Sequence, residues 1–273
     1  MNRFRFHGYA IGASASFEKP FSDLIESQAV SALPQIGGRS SATVERFRYR
    51  DIFKFDLAQS EVTGSICEGQ CGSSEGSGST HIRCTIEGLD ILSMVTADRI
   101  VANLVSTDTA SPDGEPSVFL LGTRFENLRI AGIPVEVDVA TELFDRYSTH
   151  TFLAQAYRED EGVRAMIDRP GVTNANKAPD HISDWLHLRE SKPEMPAYRG
   201  RTRTSLVRNL APGRSGLDAW GHVIYVKGLG TIRLAEIEIS RRTRLINMLQ
   251  IEFDCPYQAT TMFCEIADGG DGW

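Results

Sequence analysis

Period-two alternation is the feature of this chain that most limits its fold. Apolar and polar residues alternate over long runs, which puts successive side chains on opposite faces of an extended strand. Phe4, Phe6, Gly8, Ala10, Gly12 and Ser14 alternate with Arg5, His7, Tyr9, Ile11 and Ala13, so small side chains line one face of the first strand. Residues 39–49 follow the turn signal Gly37-Gly38 and read as a second strand. Further runs lie at 82–86, 95–105, 125–130, 135–139, 223–226, 232–239, 245–253 and 260–266, mostly bounded by Gly, Pro, Asn or Asp. This pattern predicts a mainly β chain, an antiparallel β-sandwich or barrel-like sheet.

One region departs from that period. Between 141 and 168, Leu143, Phe144, Tyr147, Leu153, Ala156 and Tyr157 fall near helical spacing. Thr141 reads as the N-cap, Glu142 and Asp145 suit the helix dipole, and Pro170-Gly171 ends the segment. Residues 172–201 carry Pro179, Pro193 and Pro196 with few periodic apolar positions. We therefore expect a part-helical, part-irregular insertion over 141–203. It separates a β-rich half at 1–140 from a second at 204–273 that completes the same domain. A total of 273 residues fits one large β domain. Long insertions on a rigid scaffold tend to cover or carry something.

Composition removes several function classes. The formal net charge of −7 argues against a nucleic-acid partner, because neutralising phosphates needs clustered Lys and Arg. No run approaches the ~18 apolar residues of a transmembrane helix. Met1-Asn2-Arg3-Phe4-Arg5-Phe6-His7-Gly8 does not read as a secretory signal. The expected location is the extracellular space or cell surface if a removed signal exported the chain, and the cytoplasm otherwise. There is no His-Glu-x-x-His and no Rossmann fingerprint, and no cofactor or metal is expected.

The five cysteines are Cys67, Cys71, Cys84, Cys255 and Cys264. Cys67, Cys71, His81 and Cys84 have zinc-ligand types but irregular spacing across the Gly/Ser-rich run 64–79, which reads as a flexible hairpin tip. The simpler reading is a disulfide from Cys67 or Cys71 to Cys84, with Cys255 to Cys264 across a C-terminal hairpin. Reduced thiols are the expectation in a cytoplasm. His150 near Asp145 and Tyr147 has the ingredients of a general base with an orienting carboxylate. His181, Asp184 and His187 form the densest histidine cluster, beside Trp185. Arg199, Arg201 and Arg203 form a basic run able to grip a carboxylate or phosphate. Arg241-Arg242-Thr243-Arg244 and the spaced pair Glu236/Glu238 read as solvated faces.

Four segments carry a family likeness: Ala32-Leu33-Pro34-Gln35-Ile36-Gly37-Gly38, Val95-Thr96-Ala97-Asp98-Arg99-Ile100-Val101-Ala102, residues 125–135 and residues 228–236. In order and spacing they resemble the β-rich bacterial surface-protein family called choice-of-anchor P, over residues 5–139 and 220–255. The resemblance implies a secreted, β-rich protein displayed through a variable C-terminal anchor, with no catalytic residues to carry over. The chain departs from it in lacking an export signal, in ending on Asp268-Gly269-Gly270-Asp271-Gly272-Trp273, and in the 141–203 insertion. The expected function is a non-catalytic structural or binding protein. Its expected partners are copies of itself, as a homo-oligomer or polymer, and a cell-surface glycan or protein. The alternative is an enzyme with a pocket beneath the insertion, using His150, Asp145, Tyr147 and His181.

Overall fold

The computed structural model describes residues 5–67, 77–109, 114–171, 195, 201–212, 217–254 and 256–269. The N-terminal strands are β1 (Gly8–Lys19), β2 (Asp23–Ala32), β3 (Gly38–Tyr49), β4 (Phe53–Cys67), β5 (Ser77–Ile91) and β6 (Val95–Thr109). Four shorter ones follow: β7 (Ser117–Phe119), β8 (Arg124–Glu126), β9 (Arg129–Ile130) and β10 (Ile133–Val139). Three helices come next, α1 (Thr141–Arg146), α2 (His150–Glu159) and α3 (Glu161–Asp168). The chain then forms β11 (Thr202–Ser205), β12 (Val207–Pro212), β13 (Asp218–Trp220), β14 (Val223–Val226), β15 (Gly230–Ile239), β16 (Arg244–Phe253) and β17 (Gln258–Asp268).

The chain is mainly β, built of two antiparallel sheets that do not close into a barrel. The first sheet runs β13-β14-β15-β16-β17-β1-β2, with β11 also on β15. The second runs β12-β10-β9-β6-β5-β4-β3, with β7 and β8 on β6. The C-terminal strands thus sit directly against β1 and complete the sheet the N-terminus begins. The chain passes from the first sheet to the second between β2 and β3 and, through buried Leu206, between β11 and β12; it returns between β10 and β11 and between β12 and β13.

Inward-facing series change phase partway along the long strands. On β15 the buried series is Ile232 and Leu234, then Ile237 and Ile239. On β16 it is Ile246 and Met248, then Leu249, Ile251 and Phe253. On β17, Ala259, Thr261 and Phe263 give way to Cys264 and Ile266. On β1, Ala10 and Gly12 give way to Ala13, Ala15 and Phe17. These reversals line up across the sheet, because the ladders pass on either side of Ala235, Met248, Cys264 and Gly12. Ala235, Cys264 and Ala29, on alternate strands, have φ of 47°, 53° and 49°. The second sheet has a matching line at Arg46, Gly88 and Asn127, with φ of 52°, 64° and 51°. A left-handed residue turns the next side chain to the other face, at about 1–2 kcal/mol for a residue with a Cβ. The aligned changes keep apolar side chains facing inward along the whole strand.

The core between the sheets is thin on the β1 side and aromatic at one end. A Cβ built on Gly12 would stand 3.0 Å from both the Ala29 and Ala58 Cβ atoms, and one on Gly8 would stand 3.0 Å from Ile82 Cδ1. At the β3–β4 turn end, Phe17, Tyr49, Phe53 and Phe263 pack with ring centroids 5.2–5.8 Å apart.

Several sequence expectations need correction. The run 53–67 is a fifteen-residue strand, and the ladder between β4 and β5 continues through Cys67 and Ser77, so 64–67 and 77–79 are paired strand rather than flexible tip; 68–76 lie outside the described residues. Thr141 is not an N-cap: Ala140 takes that position without a side-chain bond. The helical stretch is three short helices rather than one, with Thr149 capping α2 and Asp160 capping α3. The expected insertion also ends early, since Thr202 and Arg203 already belong to β11.

Gly12 has space for no side chain between the sheets. Gly12→Val is expected to destabilise the fold by about 3 kcal/mol through overpacking. Guanidinium unfolding should show a lower midpoint at unchanged slope, and an unchanged midpoint would refute the close approach.

Candidate functional site

The helices lie flush on the sandwich. Phe144, Leu153, Tyr157, Val163 and Ile167 are buried, with α1 against β7 and α3 against β11. Between them and the sheet remains a cavity of about 10 Å³ lined by Val118, Leu120, Phe144, Tyr147, Leu153, Ile237 and Arg244. That is room for about one water.

The residues expected to act there do not converge. The Leu120 N–H donates to Asp145 Oδ1 at 2.6 Å, so this carboxylate caps backbone rather than orienting His150. Burial raises the Asp145 pKa and the Leu120 bond opposes it. Burial, then the Arg244 charge, lowers the pKa of His150 and leaves it neutral at pH 7. Tyr147 only lines the cavity wall. No hydrogen bond joins His150, Asp145 and Tyr147 among the described residues. Glu115 accepts from Thr151 N, Thr151 Oγ1 and Arg241 Nε at 2.8–2.9 Å, tying the start of α2 to the β15–β16 turn. His181, Trp185 and Arg199 lie outside the described residues.

A cluster of charge is centred on buried Arg233 and Glu236 of β15, although the sequence reading assigned Glu236 to solvent. Pairing of β11 with β15 sets Arg203 opposite Glu238 and Ser205 opposite Glu236. Glu236 is 4% exposed, Arg233 2% and His222 2%. Arg203 Nη2 donates to Glu236 Oε2 at 3.0 Å, and Arg233 Nη1 stands 3.5 Å from the same oxygen. Arg233 Nη2 donates to Glu252 Oε1 at 2.6 Å. His222 Nε2 lies 3.6 Å from Glu236 Oε1, beyond a hydrogen bond but within reach of its charge. Arg201 and Arg203 also stand 3.7 and 3.8 Å from Glu238. The basic run expected to grip an external carboxylate therefore holds two of the chain's own.

Burial favours the neutral form of Glu236, but His222, Arg233 and Arg203 outweigh it and hold its pKa at about 2. It stays ionised at neutral pH and neither gives nor takes a proton there. The cluster acts as an electrostatic brace between β11, β14, β15 and β16.

Arg244, read as a solvated turn residue, is 4% exposed; Arg241 does stay out, paired with Glu115. Asp268, 6% exposed, has its pKa pushed up to about 6 by burial, against bonds from Ser106 and the Gly269 N–H.

The expected hairpin disulfides are also corrected: Cys84 and Cys264 are free, buried thiols. Each points across the sandwich rather than along its own hairpin, to Ile11 O and Ile100 O. The side chains of Cys67, Cys71 and Cys255 lie outside the described residues. Among the described residues, no three His, Cys, Asp or Glu side chains gather as a metal site, and no helix is long and apolar enough to cross a membrane.

An open cleft of about 270 Å³ lies at the β3–β4 and β5–β6 turns. Arg48, Arg50, Lys54, Asp51, Asp90 and Ser93 are among its lining residues. Its cations already have partners: Arg48 with Asp51 at 2.5 Å, Lys54 with Asp90 at 3.3 Å, and Arg50 with Asp23 at 3.6 Å and over the Phe21 ring.

A family model described as a domain of unknown function, DUF8256, matches residues 4–240. The chain belongs to the DUF8256 family. The match spans both β-rich halves and the helices, and it stops just before β16 and β17, the strands between β15 and β1 in the first sheet. No curated protein and no solved structure matches this DUF8256 chain.

Two titrations follow from the buried charges. The Glu236 pKa is below its unfolded value of 4.5, so its contribution is present above pH 4.5 and lost as pH falls through 2. Glu236→Gln removes the buried anion between Arg233 and Arg203, leaving them Glu252 and Glu238, and should cost about 3 kcal/mol at pH 7. The loss should shrink toward pH 2, and a constant loss would refute the assignment. Asp268 is raised above 3.8, so the folded state holds its proton longer and stability falls as pH climbs from 3.8 to 6. Asp268→Asn should remove about 3 kcal/mol of that fall, read as a flatter stability curve over this window.

Proposed function

We propose that this chain is a non-catalytic structural or binding protein of a bacterial cell surface that associates with copies of itself. The observation that carries the reading is the flush packing of α1–α3. A substrate pocket beneath them would need roughly 300 Å³ or more, against the one-water cavity present. Surfaces and edges are then the means by which the chain acts. Bacterial display rests on the resemblance to the choice-of-anchor P family.

Self-association is supported by the side where β2 and β3 end their sheets. Among the described residues each pairs with a single neighbour, and the two strands lie against each other. The edges differ in how they are guarded. β3 carries Arg39, Glu45, Arg46 and Arg48, the kind of charge that discourages edge pairing. β2 has charge only at Asp23 and Glu26, and it presents Leu24 at 74% and Val30 at 46% exposure. Ile36, 88% exposed, follows in the turn to β3. An antiparallel β2–β2 contact between two copies satisfies both free edges with one isologous interface.

Size-exclusion chromatography with light scattering should give a dimer or larger species, and Val30→Lys should return it to monomer without lowering the melting temperature. A 30.2 kDa monomer at every concentration tested overturns self-association.

A further inference from the structure

Cys84 on β5 and Cys264 on β17 face each other across the sandwich, one from each sheet. The Cys84 thiol donates to Ile11 O on β1 at 3.4 Å, and the Cys264 thiol donates to Ile100 O on β6 at 3.6 Å. β1 is the direct neighbour of β17, and β6 of β5, so each thiol reaches the backbone beside the other cysteine. A cysteine side chain is only two bonds long. It meets the opposite backbone only where the sheets come much nearer than the usual ~10 Å. The surrounding residues allow that approach: Gly12 is skipped opposite Cys264, Ser60 and Ala102 pair with Cys84, and Ala58 faces Gly12. The Cys84 thiol is near enough to raise the Cys264 pKa, and both residues are 0% exposed.

We propose that Cys84 and Cys264 form a disulfide that staples the two sheets when the chain folds among oxidants. This rests on the core geometry and is independent of self-association. The chemistry is thiol–disulfide exchange. One cysteine thiolate attacks a small disulfide such as oxidised glutathione and releases one glutathione thiolate. The second cysteine thiolate attacks the protein sulfur of that mixed disulfide and releases the other glutathione. The protein loses two electrons and two protons, and two reduced glutathiones form. Burial pushes the Cys264 thiol well up, so little thiolate exists once the sandwich has closed. The bond therefore forms during folding, and the folded, reduced chain resists it.

The test refolds the reduced full chain from guanidinium into a glutathione redox couple and, in parallel, exposes already folded reduced chain to the same couple. Free thiols are alkylated after denaturation, and disulfide-linked peptides are mapped by mass spectrometry. The expected result is a Cys84–Cys264 peptide from the refolding arm, scarce in the folded arm. The chain refolded with oxidant should melt about 10 °C higher than chain refolded in reductant. Cys84→Ala and Cys264→Ala, which the small-residue seam accommodates, should each abolish that gain. If dilution fails to refold the chain, material secreted into an oxidising periplasm gives the same peptide readout. Recovery of both cysteines alkylated or glutathionylated, or bridged to Cys67, Cys71 or Cys255, overturns the proposal.

Discussion

The two sheets can bury a common core only because side-chain alternation reverses at the same level on neighbouring strands. Given the left-handed residues these ten- to fifteen-residue strands contain, strict alternation in sequence would turn part of the apolar face toward solvent. In the first sheet the reversal passes through Ala235, Met248, Cys264 and Gly12 without breaking register, and left-handed backbone at Ala235 and Cys264 accomplishes it. Gly88 does the same in the second sheet, where a Cβ would fall 2.1 Å from Asp56 Oδ2. Asn127 completes that line by donating to Asp98 Oδ2 at 2.6 Å. The conformational cost at each site is modest beside the ~1.5–3 kcal/mol for each large apolar side chain kept inside.

This constraint explains which parts of the fold were legible in the sequence. β14 matches its expected span, and β15, β16 and β17 were found to within two residues at each end, because their apolar content is high on both sides of the phase change. β4 escaped notice for the same physical reason. Phe53 and Phe55 fill one phase and Ala58, Ser60 and Val62 the other, so neither half is long enough to read as a strand alone. β2 was missed because it is an edge, with Leu24 and Val30 facing outward and only small or isolated residues inward. The helical insertion was recognised by its period, but its breaks at Tyr147 and Asp160 depend on caps that periodicity does not report.

The candidate residues follow a similar division. Asp145 and His150 are close in sequence, and proximity suggested a catalytic pair; folding instead points Asp145 at the Leu120 amide. Arg203 and Glu236 are far apart in sequence and meet because β11 pairs with β15 in one register. Non-local pairing of this kind cannot be read from a single chain, and neither can the burial that converts Glu236 from a solvated residue into a held anion. Arg203, expected to hold an external anion, instead holds the chain's own Glu236.

That internal use of charge bears on how such a protein can act. Arg203 and Arg233 neutralise Glu236 and Glu252, Arg244 is buried, and Arg48, Arg50 and Lys54 are paired around the open cleft. An anionic partner would have to displace carboxylates already in place, and at the Glu236 cluster it would also have to enter a closed interior. The edge of β2 requires neither. Among the described residues its outer edge has no strand partner and Leu24 and Val30 face outward, and pairing there adds hydrogen bonds while removing apolar area from water. The association we propose at that edge therefore displaces none of these ion pairs.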